Sequence, residues 1–448
     1  MAGVVLEEVR LPMRNAKLGL VATALALAGC TSTPSPLPSV AVGGDNSLGD
    51  FSGQSVEVIG EWSSNERQAF EAVLNKFSEL TGAKYYYISG GNNVNLLINS
   101  RLAGGQPPDV ALIPQIGVAA QYAKKGQVKP LTGDTADAVK ANFAAAWQRL
   151  GTFDGQLYGF FFKVANKSTV WYRTDPFGQA GAQPPKTWEE LVKVSKTLTD
   201  SGTTAMAIPA GDGWPVTDWF ENIYLRVAGV DKYNQLTAHR IPWTDPTVVR
   251  SLQLFADYVK QPGFVEKGAT QLTFTQSVAD VFGSVPKAAM LYEGDFVAGE
   301  IQKSGKVKVG TGAKFFPFPS VNNSPPSVVT GGDIALMYKD SPVSKALMEY
   351  LASAQAAQIW AAKGGFLSAN KNLDASTYPD DTTRQLGDAI LTSTQVAFDQ
   401  SDQTPQAFGG QAAADGWKIL TDFVGDPGDP AGTAAKLEAA AEKDYGSK

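Results

Sequence analysis

The sequence predicts an α/β fold in which doubly wound sheets are flanked by helices. The first observation is a strand-helix-strand-helix-strand order between residues 55 and 113. The second is size, since 448 residues with 43% apolar content can bury a large core and have length enough for two. The third is an aromatic and β-branched stretch, Asp154–Arg173, in which polar residues interrupt two short strand-like runs.

The amino-terminal elements are defined by their apolar periodicity. Alternation with a period of two predicts strands, and apolar residues three and four apart predict helices, the first of which Gly82 ends. The predicted order is strand Ser55–Gly60, helix Arg67–Leu80, strand Lys84–Ile88, helix Val94–Ala103 and strand Asp109–Ile113. This order predicts a parallel, doubly wound sheet. In such sheets ligands bind beyond the carboxyl ends of the strands, here the loops Glu61–Asn65, Ser89–Asn93 and Pro114–Gln115.

The stretch Asp154–Arg173 contains two predicted buried strands, Gln156–Phe162 and Ser168–Tyr172. Lys163 and Asn166 lie between them and carry polar groups that can hydrogen-bond after burial. Two interpretations fit these residues equally well. The chain crosses here from one lobe to another, with polar side chains facing the gap, or it forms an ordinary hairpin in a single core.

The rest of the chain continues the alternation of strands and helices. Thr187 and Glu190 have the spacing of a capping box at a helix start. The later predicted elements are strand Ala205–Pro209, a loop running into a helix over Gly211–Asn222, helix Pro246–Val259, a strand ending in a loop over Ala288–Phe296, strand Gly331–Tyr338, and helix Ser344–Lys363 closed by Gly364-Gly365.

The amino terminus has the features of an export signal. Arg10, Arg14 and Lys17 precede an apolar run, Leu18–Ala28, that is too short to span a bilayer but suits a signal peptide. The string LAGC matches a bacterial lipobox, which predicts cleavage after residue 29 and lipidation of Cys30, the only cysteine. Residues 30–53 are rich in Ser, Thr, Pro and Gly and are predicted to be a flexible tether. We therefore expect an extracytoplasmic protein, lipid-anchored at the bacterial cell membrane.

Composition and motifs exclude several classes of function. A net charge of −6 and a pI near 5.1 argue against nucleic-acid binding. One histidine and one cysteine leave no His/Cys metal cluster, and no Walker or Rossmann motif indicates a nucleotide. We expect no cofactor, no metal and no enzymatic activity. A glycoside hydrolase needs only two carboxylates, so that alternative stays open at this stage.

Several predicted loops place aromatic residues beside short polar ones. Sugars present C–H faces ringed by hydroxyls, which flat aromatic rings together with carboxylates and amides can bind. The loop positions of Trp62 and Trp214 favour ligand contact, whereas the other tryptophans considered are assigned to packing: Trp147, Trp171, Trp188 and Trp417.

Four segments carry a family resemblance: PPKTWEELV (184–192), AAMLYEGDF (288–296), TGGDIALMYKDSPVSKALMEYLAS (330–353) and IWAAKGGFLSANK (359–371). Over residues 55–425 the chain resembles the extracytoplasmic solute-binding proteins of ABC sugar importers. The segments FFFKVANKSTVWY, GGFLSANKN and FDQSDQTPQAFGG are similar to the α-glucoside-binding branch. The first-lobe loop WSSNE departs from the Gly- and acid-containing version of that pattern.

The resemblance implies a periplasmic-binding-protein-like fold of two lobes joined by a hinge. The first lobe is expected to contain residues 54–165 and 327–352, and the second 166–326 and 353–448. It also implies a monomer that binds an α-glucosidic di- or oligosaccharide between the lobes and delivers it to a transmembrane permease. The alternatives are a secreted glycoside hydrolase and a binding lipoprotein for a non-sugar solute such as a glycerophosphodiester. The expected ligand contacts are Trp62, Ser63, Asn65, Gln115, Lys163, Trp214, Glu293, Asp295, Phe296, Asp333 and Asp402.

Overall fold

The computed structural model describes residues 48–446. The predicted signal peptide, Cys30 and most of the predicted tether lie outside the described residues. Within the described range, no helix has both the length and the apolar character needed to cross a bilayer. The tether's last residues lie on the body, because Leu48 and Phe51 pack on a core cluster and the Phe51 N–H donates to Thr81 O at 2.7 Å.

The strands of the described residues alternate with helices along most of the chain. They are β1 Ser55–Gly60, β2 Lys84–Ser89, β3 Val110–Ile113, β4 Thr152–Phe153, β5 Gln156–Leu157, β6 Gly159–Asn166, β7 Thr169–Arg173, β8 Thr204–Ala207, β9 Ala288–Tyr292, β10 Ala313–Pro317, β11 Ser327–Met337 and β12 Gln395–Phe398.

The helices cover both sheets and build the carboxyl-terminal part of the chain. They are α1 Ser64–Thr81, α2 Val94–Ala103, α3 Ile116–Lys124, α4 Gly133–Asn142, α5 Ala145–Leu150, α6 Thr174–Ala180, α7 Trp188–Asp200, α8 Trp214–Thr237, α9 Pro246–Val259, α10 Phe274–Phe282, α11 Val297–Ser304, α12 Pro342–Leu351, α13 Ala354–Ala361, α14 Asp381–Thr392, α15 Gln400–Gln403, α16 Gln406–Gly409, α17 Asp415–Gly425 and α18 Pro430–Tyr445.

The first sheet has the strand order β12-β11-β3-β1-β2, and β6 also pairs with β11. Strand β1 is parallel to both β2 and β3, as the amino-terminal β-α-β-α-β order predicts. Strand β11 runs antiparallel to β3 and β6 and parallel to β12. The carboxyl ends of β1, β2 and β3 therefore lie at one edge of this sheet, where the three predicted loops follow them.

The second sheet has the order β10-β7-β9-β8, in which only the β8–β9 pair is parallel among the strands described. The chain passes from β6 in the first sheet to β7 in the second through Lys167-Ser168. The crossing interpretation of Asp154–Arg173 is thereby confirmed. Strand β6 runs unbroken through Lys163, whereas the sequence predicted an interruption there.

Apolar side chains form three clusters. One packs helices against the second sheet around Trp219 and Phe255, and another covers the first sheet around Phe70 and Trp360. The third contains residues of both sheets, such as Phe161 and Leu291, and so joins them beneath the crossing.

Local signals account for most element boundaries. Gly82 ends α1 in the left-handed conformation, with φ 71°, and Thr187 and Glu190 form the predicted capping box of α7. The predicted single helix over 344–363 is two helices instead. Ser353 separates them because its side chain accepts from the Ala356 N–H and caps α13.

Helix α13 packs against the first sheet's cluster through Trp360, and β12 joins the first sheet. The family resemblance implied that residues 353–448 belong to the second lobe, whereas α13 and β12 within that range contact the first sheet.

Candidate functional site

A cavity of about 380 Å³ lies between the two lobes at the carboxyl edge of the first sheet. All three predicted loops contribute to it, as expected for a doubly wound sheet. From the first lobe and the crossing strands it is lined by Glu61, Ser63, Ser64, Glu66, Gly91, Asn92, Val94, Pro114, Gln115, Lys163, Ala165, Lys167, Gly332 and Asp333. The remaining lining residues are Asp212, Trp214, Thr273, Phe274, Thr275, Phe296, Glu300, Ser401, Asp402 and Trp417.

One wall of the cavity is aromatic. Trp214, Phe274 and Phe296 contact one another with ring centroids 5.4 to 5.9 Å apart. Each ring stands at the start of a helix or just before one, so the helices α8, α10 and α11 hold the wall in place. Trp214 and Phe296 are only half-buried, which leaves apolar ring surface available to a ligand.

Trp417 extends this wall at the start of α17. Gly213 allows the close packing, since it has φ 82° and a Cβ there would lie 3.0 Å from the Trp417 Cβ. The Trp417 indole Nε1 is buried and has no hydrogen-bond partner among the described residues.

The polar part of the lining is built around Lys163, whose Nζ lies 5.5 Å from the centroid of the Phe296 ring. Its ammonium donates to Glu66 Oε1 at 2.6 Å, and Lys163 stands opposite Asp333 in the β6–β11 register. Burial alone would lower the pKa of Lys163, but the Glu66, Asp333 and Asp295 carboxylates raise it above its usual value. Lys163 is therefore a fixed positive charge at the floor of the cavity.

Asp333 and Glu61 form a second polar group beside this lysine. Burial raises the pKa of Asp333 to about 6 although Lys163 opposes the shift. Burial, together with the Asp333 and Glu66 carboxylates, raises the pKa of Glu61 well above its usual value. Burial therefore disfavours the charged form of both carboxyls. The Asp333 Oδ1 atom has no hydrogen-bond partner among the described residues and is free to accept from a ligand hydroxyl.

Lys167, at the end of β6, is the second cation of the site. Its Nζ contacts Asp399, lies 3.4 Å from Asp218 and 3.9 Å from Asp402, and stands 5.5 Å from the centroid of the Trp214 ring. Burial opposes the charge, but these carboxylates raise the pKa of Lys167 well above its usual value.

Three buried carboxylates near Lys167, those of Asp218, Glu221 and Asp399, lie close enough to share a cation. All three carboxylates already have charged or hydrogen-bonding partners within the protein, although Asp218 Oδ2 has only the Lys167 charge 3.4 Å away. Lys167 contacts two of them, and Glu221 accepts from the Tyr233 hydroxyl and the Gln400 N–H, each at 2.6 Å. We interpret this cluster as the structural counter-charge of Lys167. Asp399 also caps α15, because its side chain accepts from the Asp402 N–H.

Two contacts cross the mouth of the cavity from the first lobe. Asn92 donates from Nδ2 to Asp212 Oδ1 at 3.2 Å, and Asp212 in turn accepts from the Phe274 N–H at 2.6 Å. Asn95 donates from Nδ2 to Gln115 Oε1 and to Gly410 O, both at 2.7 Å. Asn92, before α2, is thereby tied to Asp212, and Asn95, on α2, is tied to Gly410.

The structure brings together most of the residues that the sequence singled out as ligand contacts. Those that line the cavity are Ser63, Gln115, Lys163, Trp214, Phe296, Asp333 and Asp402. Asp402 Oδ2, like Asp333 Oδ1, is buried and accepts no hydrogen bond from the described residues.

Trp62 does not line the cavity and is corrected to a core residue. It is 1% exposed, and its ring lies edge-on to Phe70 and Trp360, with centroids 4.7 Å away in each case. The predicted loop is shorter than expected because α1 begins at Ser64, so the indole is covered by the helix.

Glu293, Asp295 and Asn65 do not line the cavity either. Glu293 is fully buried, and Asp295 accepts from the Asn166 N–H at 2.7 Å, which fixes the crossing strand to the α11 end of the second lobe. The alternation of apolar residues in a strand does not show whether a side chain in the following loop faces the cavity or packs behind it. Asn65 lies at a neighbouring cavity on the far side of Glu66.

Sequence reasoning missed several lining residues. Trp417 was assigned to packing, yet its segment Asp415-Gly416-Trp417 repeats the Asp212-Gly213-Trp214 pattern at a helix start, and that repeat could have identified it. Lys167, Phe274 and Glu300 carry no local signal that separates them from ordinary surface or core positions.

Comparison with known proteins gives a consistent result. The profile of the family described as bacterial extracellular solute-binding protein matches residues 72–385. The alpha-glucosides-binding periplasmic protein AglE of Rhizobium meliloti (strain 1021) is 33% identical over 393 residues, covering 84% of each chain. The osmoprotective compounds-binding protein GgtB of Synechocystis sp. (strain ATCC 27184 / PCC 6803 / Kazusa) is 30% identical over 387 residues, covering 84% of this chain and 90% of its own.

Solved structures share the fold at low sequence identity. The bacterial solute receptor AcbH superposes with a TM-score of 0.79 at 20% identity, covering 87% of this chain and 99% of its own. A chitin oligosaccharide binding protein superposes with a TM-score of 0.77 at 19% identity, covering 88% and 99%. The two-lobed α/β prediction is confirmed by these neighbours.

Proposed function

The chain belongs to the bacterial extracellular solute-binding proteins, and from that premise we propose that its interlobe cavity binds an α-glucosidic di- or oligosaccharide for an ABC importer. Members of this family bind solutes and are not enzymes, so the glycoside hydrolase alternative is set aside. The proteins it is similar to include several named for sugar binding. The α-glucosidic linkage is supported by AglE and by the segments that resemble that branch.

One observation carries this proposal: an aromatic wall and two buried carboxylate oxygens without a hydrogen-bond partner among the described residues line the same cavity, about 380 Å³ in volume. Trp214 and Phe296 offer flat apolar surface to the C–H face of a sugar ring. Asp333 Oδ1 and Asp402 Oδ2 are buried acceptors that sugar hydroxyls can satisfy. Leaving such an oxygen buried without a donor costs about 1–3 kcal/mol or more, so a hydroxyl-rich ligand gains by filling both positions.

The charge of the cavity favours a neutral ligand over an anionic one. Its lining contains six carboxylic acids and two lysines, and both lysines already contact carboxylates. A phosphodiester would therefore meet repulsion without a free cation to offset it. This argues against a glycerophosphodiester and for an uncharged polyol.

We further propose that the lobes close on the sugar by a hinge. We propose a first lobe of residues 54–165 and 327–352 and a second lobe of residues 166–326 and 353–448. Helix α13 and strand β12 of the second lobe pack on the first. A ligand that contacts both lobes binds the closed form more tightly and shifts the population toward it. The closed pair then presents one surface to the permease.

Lipid anchoring of the mature chain at Cys30 and a monomeric state complete the proposal. The lipobox LAGC supports the anchor. In a bacterial host, the wild-type protein is expected in the membrane fraction and Cys30→Ala in the soluble extracytoplasmic fraction. An unchanged distribution of Cys30→Ala would contradict the anchor.

The sugar proposal is tested by a thermal-shift panel on the purified residues 31–448. Maltose and trehalose are expected to raise the melting temperature, because a ligand that binds only the folded form stabilises it. Cellobiose tests the linkage, and glycerophosphocholine tests the non-sugar alternative. A shift with glycerophosphocholine and none with any sugar would overturn the proposal.

A further inference from the structure

A second cavity of about 320 Å³ adjoins the first at the same interlobe crevice. Asn65 and Gln68 of α1 line it from the first lobe, and Gln302 and Lys303 of α11 line it from the second. The loop Lys363–Gly365 closes its far side. Asn65, which the sequence favoured as a ligand contact, therefore faces this second space.

Three residues line both cavities and form the lip between them: Glu66, Phe296 and Glu300. Two of these side chains are held in place. Glu66 accepts from the buried Lys163 ammonium at 2.6 Å, and Phe296 packs edge-on against Trp214. The positions of Glu66 and Phe296 between the two cavities are therefore fixed by their contacts.

Glu300 is the third lip residue, and it faces Glu66 from the other lobe. Burial raises the pKa of Glu300, Lys303 at 3.9 Å opposes the shift, and the Glu66 carboxylate adds to it. Each of the two acids has a lysine on one side, Lys163 for Glu66 and Lys303 for Glu300. Sugar hydroxyls can donate to both, so a ligand crossing the lip would join the lobes at this point.

We propose that the two cavities form one groove, and that it binds α-glucosides of three or more rings, with the third ring passing between Glu66 and Glu300 into the second cavity. This inference rests on the proposed function. Ligand pockets of proteins range over roughly 300–1,000 Å³. The first cavity alone lies near the lower limit, whereas the pair has room for a longer chain.

Isothermal titration with maltose, maltotriose and maltotetraose tests the groove. Maltotriose is expected to bind at least tenfold more tightly than maltose. Gln68→Trp fills the second cavity from an exposed position on α1 and is expected to remove that advantage while leaving maltose affinity unchanged. Gln302→Trp fills it from the opposite lobe, so a folding defect in one variant does not decide the result. Glu79→Trp, exposed on the same helix and outside both cavities, is the control.

The outcomes separate this inference from the function on which it rests. Equal affinity for maltose and maltotriose would overturn the groove and leave the sugar-binding proposal intact. The groove would also be overturned if both filling variants kept the full maltotriose advantage, or if both weakened maltose and maltotriose alike. If none of the three sugars bound, the proposed function would fail and the groove with it.

Discussion

Replacing Trp214 with alanine removes the central ring of the aromatic wall. The indole is half-buried and contacts Phe274 and Phe296, so one face is held by the protein and the other borders the cavity. A buried aromatic side chain covers about 150–250 Å², so a sugar on one face covers about 80 Å². At about 25 cal/mol per Å² this contributes about 2 kcal/mol, equivalent to about 30-fold in Kd.

The measurement is a titration of maltose into the wild type and Trp214→Ala, with melting temperatures recorded in parallel. Trp147 provides a matched control, because it is also a partly buried tryptophan but lies outside the cavity. Trp147→Ala is expected to bind maltose as the wild type does. Both variants should lose a similar, modest amount of stability.

Two results would refute this reasoning. Unchanged maltose affinity in Trp214→Ala would mean that the ring does not contact the ligand. A much larger fall in melting temperature than in Trp147→Ala would mean that Trp214 acts mainly as a core residue. In that case the loss of binding would follow from unfolding.

Three further predictions concern the polar groups of the crevice. Burial raises the pKa of Asp295 from 3.8 to about 7, so the folded state retains a proton that the unfolded state releases. The stability of the wild type therefore falls as pH rises from about 4 to about 7. In urea unfolding, Asp295→Asn should be more stable than the wild type at pH 8, and this difference should be lost near pH 4. Lys167→Met should lower the free energy of unfolding by about 3–5 kcal/mol because it leaves buried carboxylates unpaired, whereas Lys314→Met on the exposed face of β10 should change it little. Asn92→Ala removes the hydrogen bond to Asp212 and should weaken maltose binding about fivefold, which corresponds to about 1 kcal/mol. Unchanged maltose binding in this variant would mean that the bond is also present in the open form.

Much of the first lobe was predictable because its signals are local. Strand β1, helix α2 and helix α9 have the predicted boundaries, and the Thr187 capping box forms as its spacing indicates. The crossing at β6 was predicted as one of two alternatives. Only strand pairing distinguishes a crossing from a hairpin, since both have the same apolar pattern.

The site was predictable at the level of loops and less so at the level of side chains. Beyond the carboxyl ends of parallel strands, position in the sheet places a residue such as Gln115 at the cavity. The prediction that Trp62 contacts the ligand was wrong, and the position of Trp417 at the cavity was missed. Both are tryptophans beside small polar or glycine residues. Whether such a ring faces the cleft depends on which helix covers it.

By itself, the sequence determined the α/β class and predicted an export signal and sugar-compatible loops, because periodicity, capping and short motifs act within a few residues. Only the tertiary structure decided which carboxylates surround Lys163 and Lys167, and which carboxylate oxygens are left without a hydrogen-bond partner at the cavity. Asp218 and Asp399 lie 51 and 232 residues from Lys167 along the chain. Pairing over such separations depends on how two sheets pack, and no local pattern encodes it.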